Sequence, residues 1–189
     1  MTKTLATAAL TVAMFAGVVG ASEAAQKVPF ATVVVHLRDE QHVPARELGD
    51  AQKLVARVYA EIGVQLVWTD GSAKLAVTDG LRHIDVLIMN AEMTTRAAAE
   101  PGVLGVASHR TNRASVFYPR ILAHALLTIS DPAHALAAML AHEIGHVLLP
   151  EYSHAPFGIM QAKWEGQIRR IPGFMPSQAA TLRTVLTLQ

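Results

Sequence analysis

The chain contains no cysteine. Its fold therefore has no disulfide bond, and a metal site in it cannot use a thiolate ligand. Charged residues make up only 16% of the sequence, and the 16 basic and 15 acidic residues leave a net charge of +1. Aromatic residues are also few, at 5%. A nearly neutral chain without interleaved basic and aromatic residues is not typical of nucleic-acid binding, so we expect no nucleic-acid partner.

Long hydrophobic runs are absent except near the start, where residues 5–19 are apolar and follow Lys3. The small residues at 20–24 have the spacing of a cleavage site, after Ala21 or after Ala24, so residues 1–24 are predicted to be a secretory signal peptide. An uncleaved membrane anchor is the alternative, because the run is close to the shortest that spans a bilayer. We therefore expect a secreted or periplasmic protein, which contacts a membrane only if this segment is retained.

Residues 25–189 have the length of one domain. About 165 residues are enough to build a hydrophobic core, and no internal repeat, low-complexity tract or linker interrupts them. Residues 1–24 contain one basic and one acidic residue, so their removal leaves the net charge at +1. We predict a single domain that is monomeric.

The most informative stretch is His142-Glu143-Ile144-Gly145-His146. Helix positions i and i+4 lie about 40° apart around the axis and one turn apart along it, so both imidazoles can reach one cation. A catalytic zinc ion takes three protein ligands and keeps one position for water. The pattern therefore predicts a Zn²⁺ site with His142 and His146 as ligands and Glu143 as the general base.

A third ligand has to come from outside this motif. His154 is favoured because Pro150 cannot continue the helix, so the chain should turn back toward the metal. Glu165 is the competing candidate at an allowed spacing, although the glycines and prolines within residues 155–173 disfavour the second helix that such a site uses. Glu151 or a water molecule is a further alternative.

The motif, the helix-ending turn, His154 and the later Gly158-Ile159-Met160 together resemble the metzincin clan of zinc peptidases. The resemblance implies His142, His146 and His154 as zinc ligands and Glu143 as the base. It also implies that Met160 forms an apolar floor beneath the three imidazoles.

The spacer between the second and third histidines departs from the metzincin pattern. Leu149 stands where metzincins have a glycine, and Tyr152 stands where they have the third histidine, two residues before His154. Residues 142–164 also resemble a group of small secreted bacterial proteins that are predicted to be metallopeptidases.

Hydrophobic periodicity predicts the surrounding elements. Strands are expected at residues 31–37, 64–68, 83–89, 103–108 and 114–118, and helices at residues 45–62, 132–149 and 178–188. Asp131 as N-cap and Pro132 at the first position begin the motif helix, which is apolar on nearly every side and should be buried. The order predicts an α+β fold, a mixed sheet with one crossover helix and a buried active-site helix, and the resemblance implies that this sheet is metzincin- or zincin-like.

These observations predict an exported zinc metalloendopeptidase that hydrolyses peptide bonds in a peptide or protein substrate with a zinc-activated water. In metzincins the substrate pairs with an edge strand ahead of the metal helix, and the resemblance implies residues 103–108 for that role. Two alternatives stay open. One is a zinc-binding domain without turnover, and the other is a hydrolase of non-peptide amides.

Several other polar and aromatic residues have weaker interpretations. Tyr152 and Tyr118 are candidates for oxyanion donors, with plain packing as the simpler interpretation. Trp164 is expected to be a core or lid aromatic. The remaining histidines lack ligand spacing and are predicted to be surface or satisfied core residues, namely His36, His42, His83, His109, His124 and His134.

Overall fold

The computed structural model describes residues 29–71, 81–150 and 153–187. The predicted signal peptide at residues 1–24 lies outside the described residues, as do Glu151 and Tyr152. Within the three described ranges, no helix is both long and apolar enough to cross a membrane.

One mixed sheet organises the described chain. Its strands are β1 (Ala31–Asp39), β2 (Val64–Asp70), β3 (Arg82–Met89), β4 (Gly105–Ser108) and β5 (Arg113–Phe117), in the spatial order β2-β1-β3-β5-β4. Four of them run parallel, and the outermost strand β4 pairs antiparallel with β5. Strand β1 lies between β2 and β3, and its β-branched residues suit this interior position because side chains on both faces of an interior strand are covered. The predicted mixed sheet is confirmed.

Five α-helices accompany the sheet: α1 (Ala45–Glu61), α2 (Ala91–Arg96), α3 (Tyr118–Thr128), α4 (Pro132–Leu148) and α5 (Pro176–Thr187). Helix α1 connects the parallel strands β1 and β2 and is the predicted crossover. It ends before Gly63, whose φ of 84° is the left-handed conformation that glycine adopts at helix ends.

Helix α4 is the buried element that the sequence predicts. All its residues are buried except Pro132, His134 and His146, which are half-buried. The Asp131 carboxylate accepts a hydrogen bond from the His134 backbone N–H and so caps the helix as predicted. The fully buried Tyr59 of α1 donates its hydroxyl to the Ala141 carbonyl at 2.9 Å, which joins the two helices.

Two predicted strands are corrected by the structure. The strand expected at residues 103–108 begins at Gly105, because the Val103 N–H bonds to the Glu100 carbonyl in a turn. The strand expected at residues 114–118 ends at Phe117, because Tyr118 begins helix α3, which the sequence analysis does not predict. The first strand is thus shortened, which leaves a loop ahead of β4, and the second begins and ends one residue earlier than predicted.

The hydrogen bond from Tyr59 to Ala141 gives a test of the α1–α4 packing. In the Tyr59→Phe variant we expect the free energy of unfolding to fall by about 1 kcal/mol, because a buried hydrogen bond is lost with little change in shape. Urea denaturation measures this change. Tyr118→Phe is the comparison, since its half-exposed partner Glu47 can bond to water and the loss should be smaller. Equal stabilities for Tyr59→Phe and the parent chain would contradict the assigned role.

Candidate metal centre

Three histidines converge near the C-terminal end of α4. The Nε2 atoms of His142 and His146 are 3.0 Å apart, and those of His146 and His154 are also 3.0 Å apart. The ligand atoms of all three residues lie within 4.8 Å of one another. Zinc–nitrogen bonds of about 2.0–2.1 Å in a tetrahedron put nitrogens about 3.3 Å apart, so the cluster is compatible with zinc binding.

The other ring nitrogens of the two helical histidines are held by the chain that follows α4. The His142 Nδ1–H donates to the Ile159 carbonyl at 2.8 Å, and the His146 Nδ1 lies 2.9 Å from the Ser153 hydroxyl. A proton on Nδ1 leaves the lone pair of Nε2 free for a metal. The same segment that supplies His154 therefore orients the first two rings.

The electrostatics of the cluster favour neutral imidazoles. Burial lowers the pKa of His146 to about 4, with further lowering by His142 and His154. Burial also lowers the pKa of His142. Neutral rings can bind a cation without first losing a proton at physiological pH.

The fully buried Met160 lies against α4 between the two histidines of the motif. A Cβ atom built on Gly145 would stand 2.4 Å from the Met160 sulfur, so only glycine allows this approach. Met160 directly follows Ile159, whose carbonyl orients His142. The thioether thus supports the helix backbone at the centre of the motif.

The carboxylate of Glu143 is enclosed between α4 and the edge strand. A Cβ atom on Gly105 of β4 would stand 2.7 Å from both Cγ and Oε1 of Glu143, so a side chain there would displace the carboxylate. Burial raises the pKa of Glu143 to about 8. A dication beside it would favour the ionised form and oppose this rise.

A cleft of about 820 Å³ runs along β4 and α4 past the histidines. Its lining also includes Met139, His124, Pro150 and Arg110. Trp164 also lines the cleft, with its ring edge-on to His142 at a centroid distance of 6.4 Å. The half-buried Trp164 is therefore part of the cleft wall.

Arg120 of α3 holds the loop that leads into β4. Its guanidinium donates to the carbonyl oxygens of Glu100 and Val103, each at 2.8 Å, and of Ala99 at 3.0 Å. It also lies 5.0 Å from the centre of the Phe117 ring. This residue positions one rim of the cleft, and sequence reasoning misses it because the acceptors of its three hydrogen bonds are backbone carbonyls.

The remaining candidate residues divide between the cleft and other places. His109 and His124 line the cleft but are not grouped with the three clustered histidines, and the His109 ring bonds through Nδ1 to the Val147 carbonyl at 2.7 Å. Glu165 is exposed on the cleft rim and, among the described residues, is not grouped with the three histidines. Tyr118 lies outside the cleft lining and donates to Glu47 at 2.9 Å.

Of the other histidines, His42 is on the surface, and His36, His83 and His134 contact protein groups, as expected. His36 stacks on His83 with ring nitrogens 2.9 Å apart, and His36 also lies 2.8 Å from the Thr69 hydroxyl. The His134 ring approaches the Asp131 carboxylate at 3.4 Å.

Solved structures of zinc peptidases share this fold. A zinc-dependent peptidase from Methanocorpusculum labreanum superposes with a TM-score of 0.53 at 17% identity, over 78% of this chain and 99% of that one. An archaemetzincin from Methanopyrus kandleri superposes with a TM-score of 0.51 at 15% identity, over 82% of this chain and 95% of that one. No family model matches the chain, and no curated protein matches it significantly. The predicted zincin-like fold is confirmed.

The close packing at Gly145 gives a test of the site's construction. In Gly145→Ala, the new methyl group meets the enclosed Met160 sulfur, and we expect the free energy of unfolding of the metal-free protein to fall by about 1–3 kcal/mol. Gly49→Ala is the matched control, because it lies in helix α1 with nothing within 4 Å of the new atom. It should gain about 0.5–1 kcal/mol through helix propensity. Urea denaturation in the presence of a chelator measures both free energies of unfolding. An equal gain in stability over the parent for Gly145→Ala and Gly49→Ala would contradict the assigned packing.

Proposed function

We propose that this protein is a zinc-dependent peptidase. His142, His146 and His154 would be the zinc ligands, and Glu143 would be the general base. The observation that carries the proposal is the convergence of three imidazole nitrogens beside an enclosed carboxylate, in a cleft that runs along an edge strand. A purely structural metal site needs no such carboxylate and closes its fourth position with another ligand.

His154 is the third ligand that the geometry supports. Its Nε2 lies as close to the His146 Nε2 as the His142 Nε2 does. Ser153, the residue just before His154, bonds through its hydroxyl to the His146 ring. This contact holds the backbone at His154 beside the other two histidines. Glu165 would have to leave its exposed position on the rim to compete.

Zinc bound there would supply a charge that acidifies a water molecule and stabilises negative charge on a carbonyl oxygen. Glu143 would accept the proton of the attacking water and deliver it to the leaving nitrogen, a general acid-base role. Gly105 keeps the carboxylate directly beside the strand, so a backbone bound along β4 passes within reach of it.

Strand β4 is suited to bind an extended peptide. It is the outermost strand, and its described pairing is with β5 alone, so one edge keeps free backbone groups for another strand. Every residue of β4 lines the cleft, which suits an extended segment of polypeptide, and this supports internal cleavage of a chain. An open strand edge also favours peptides over other amides.

Export and domain organisation are part of the same proposal. The apolar run at residues 5–19 and the small residues after it support removal of residues 1–24 and export. One continuous hydrophobic core joins elements from β1 to α5, which supports a single catalytic domain in residues 25–189.

The direct test combines metal analysis with proteolysis. We expect the chain from residue 25 to bind one zinc ion and to cleave an unfolded protein such as casein. Glu143→Gln should keep the metal and lose activity by a factor on the order of 10²–10⁴, because the proton acceptor is gone. His154→Ala should lose the metal, and Glu165→Gln is the matched control that should keep both the metal and the activity.

Two outcomes would contradict this proposal in different ways. Zinc bound without any peptide cleavage by the parent chain would favour a zinc-binding domain or a hydrolase of another amide. If His154→Ala still binds zinc tightly and Glu165→Gln does not, Glu165 would be the third ligand. The protein would then be a peptidase with a different ligand set.

A further inference from the structure

Three large aliphatic side chains protrude at the end of helix α3. Leu126, Leu127 and Ile129 are 71%, 84% and 80% exposed, and we call these three residues the α3 tip. Single exposed aliphatic residues are common on soluble proteins, but a cluster of them marks an interaction site. Because most of their area is exposed, binding of these side chains to an apolar partner would bury a large apolar area.

The backbone at Ile129 strengthens this interpretation. Ile129 has φ 54° and ψ 40°, the left-handed conformation that a β-branched residue rarely adopts and that glycine favours after a helix. The turn is held by the Ser130 N–H, which donates to the Ala125 carbonyl at 2.8 Å. The chain thus carries a strained, exposed isoleucine at a position where glycine would be unstrained.

The basic Arg169 lies beside the tip, and Arg170 follows it in the chain. The Gln167 amide donates to the Ile129 carbonyl, and its oxygen accepts from the Arg169 Nε at 2.6 Å, so one side chain bridges the arginine to the tip. Arg170 is also exposed. The neighbouring Asp131 carboxylate is directed to the N-terminus of α4, where it caps the helix.

We propose that the α3 tip inserts into the interfacial region of a lipid bilayer, with Arg169 and Arg170 on anionic headgroups. Protruding aliphatics with adjacent basic residues are the pattern of interfacial membrane binding. Protein interfaces are instead enriched in aromatic residues, and the tip has none. The proposal does not depend on zinc or on peptidase activity.

Such docking would place the cleft near the bilayer. His124, one turn before the tip on the same helix, lines the cleft, and Gln167 follows Trp164 of the cleft wall by three residues. Substrates bound at or in the membrane surface would therefore meet the cleft at a raised local concentration.

Vesicle sedimentation tests the proposal. The chain from residue 25 avoids the apolar N-terminal run, and all the described helices and strands lie within it. We expect it to bind vesicles of phosphatidylcholine and phosphatidylglycerol in equal parts, and to bind less in high salt because the arginines are screened. Leu126→Ser with Leu127→Ser should lower the partition coefficient about tenfold or more.

Further variants separate binding from folding. Ile129→Gly should reduce vesicle binding while its melting temperature stays equal or rises, because the left-handed strain is relieved. Arg169→Gln with Arg170→Gln should weaken binding to anionic vesicles and leave binding to pure phosphatidylcholine unchanged. Val67→Ser, at an exposed aliphatic on β2, and Arg46→Gln, at an exposed arginine on α1, are the matched controls and should bind as the parent does.

The proposal is overturned if the parent chain does not sediment with anionic vesicles. Equal binding by the tip variants and the parent would overturn it too, as would self-association that the tip variants abolish without any vesicle binding. Because vesicle binding is measured without zinc, its failure is separate from a failure of the proposed peptidase.

Discussion

Helix α4 is buried on nearly every side, yet it has to hold two imidazoles and a carboxylate in that apolar setting. Burying such groups without partners is unfavourable, and both imidazoles have hydrogen-bond partners in the chain that follows the helix. The His142 Nδ1 is hydrogen-bonded to the Ile159 carbonyl, and the His146 Nδ1 is hydrogen-bonded to the Ser153 hydroxyl. With the ring of His154, three Nε2 atoms lie close together, and their lone pairs could bind one cation.

The rest of the site follows from this burial. Met160 can support α4 only because Gly145 has no side chain, and β4 can enclose Glu143 only because Gly105 has none. The loop into β4 is in turn held by Arg120 through three backbone carbonyls. The geometry around the histidines therefore depends on close contacts made by three separate parts of the chain.

Local patterns in the sequence predict the elements that carry the motif. The cap at Asp131, the apolar faces of α1 and α4 and the stop at Gly63 depend on neighbouring residues, so they can be read directly. Helix α3 and the start of β4 are missed because a turn and tertiary hydrogen bonds decide them. The places of His109 and His124 in the cleft likewise follow from packing between elements distant in sequence.

X-ray absorption at the zinc edge of the zinc-loaded protein tests the central claim most directly, because it reports the ligand set without relying on activity. We predict three imidazole nitrogens at about 2.0–2.1 Å and one further light ligand such as water. Two imidazoles with a protein carboxylate, or a metal with no imidazole scattering pattern, would contradict the three-histidine site and the function argued from it.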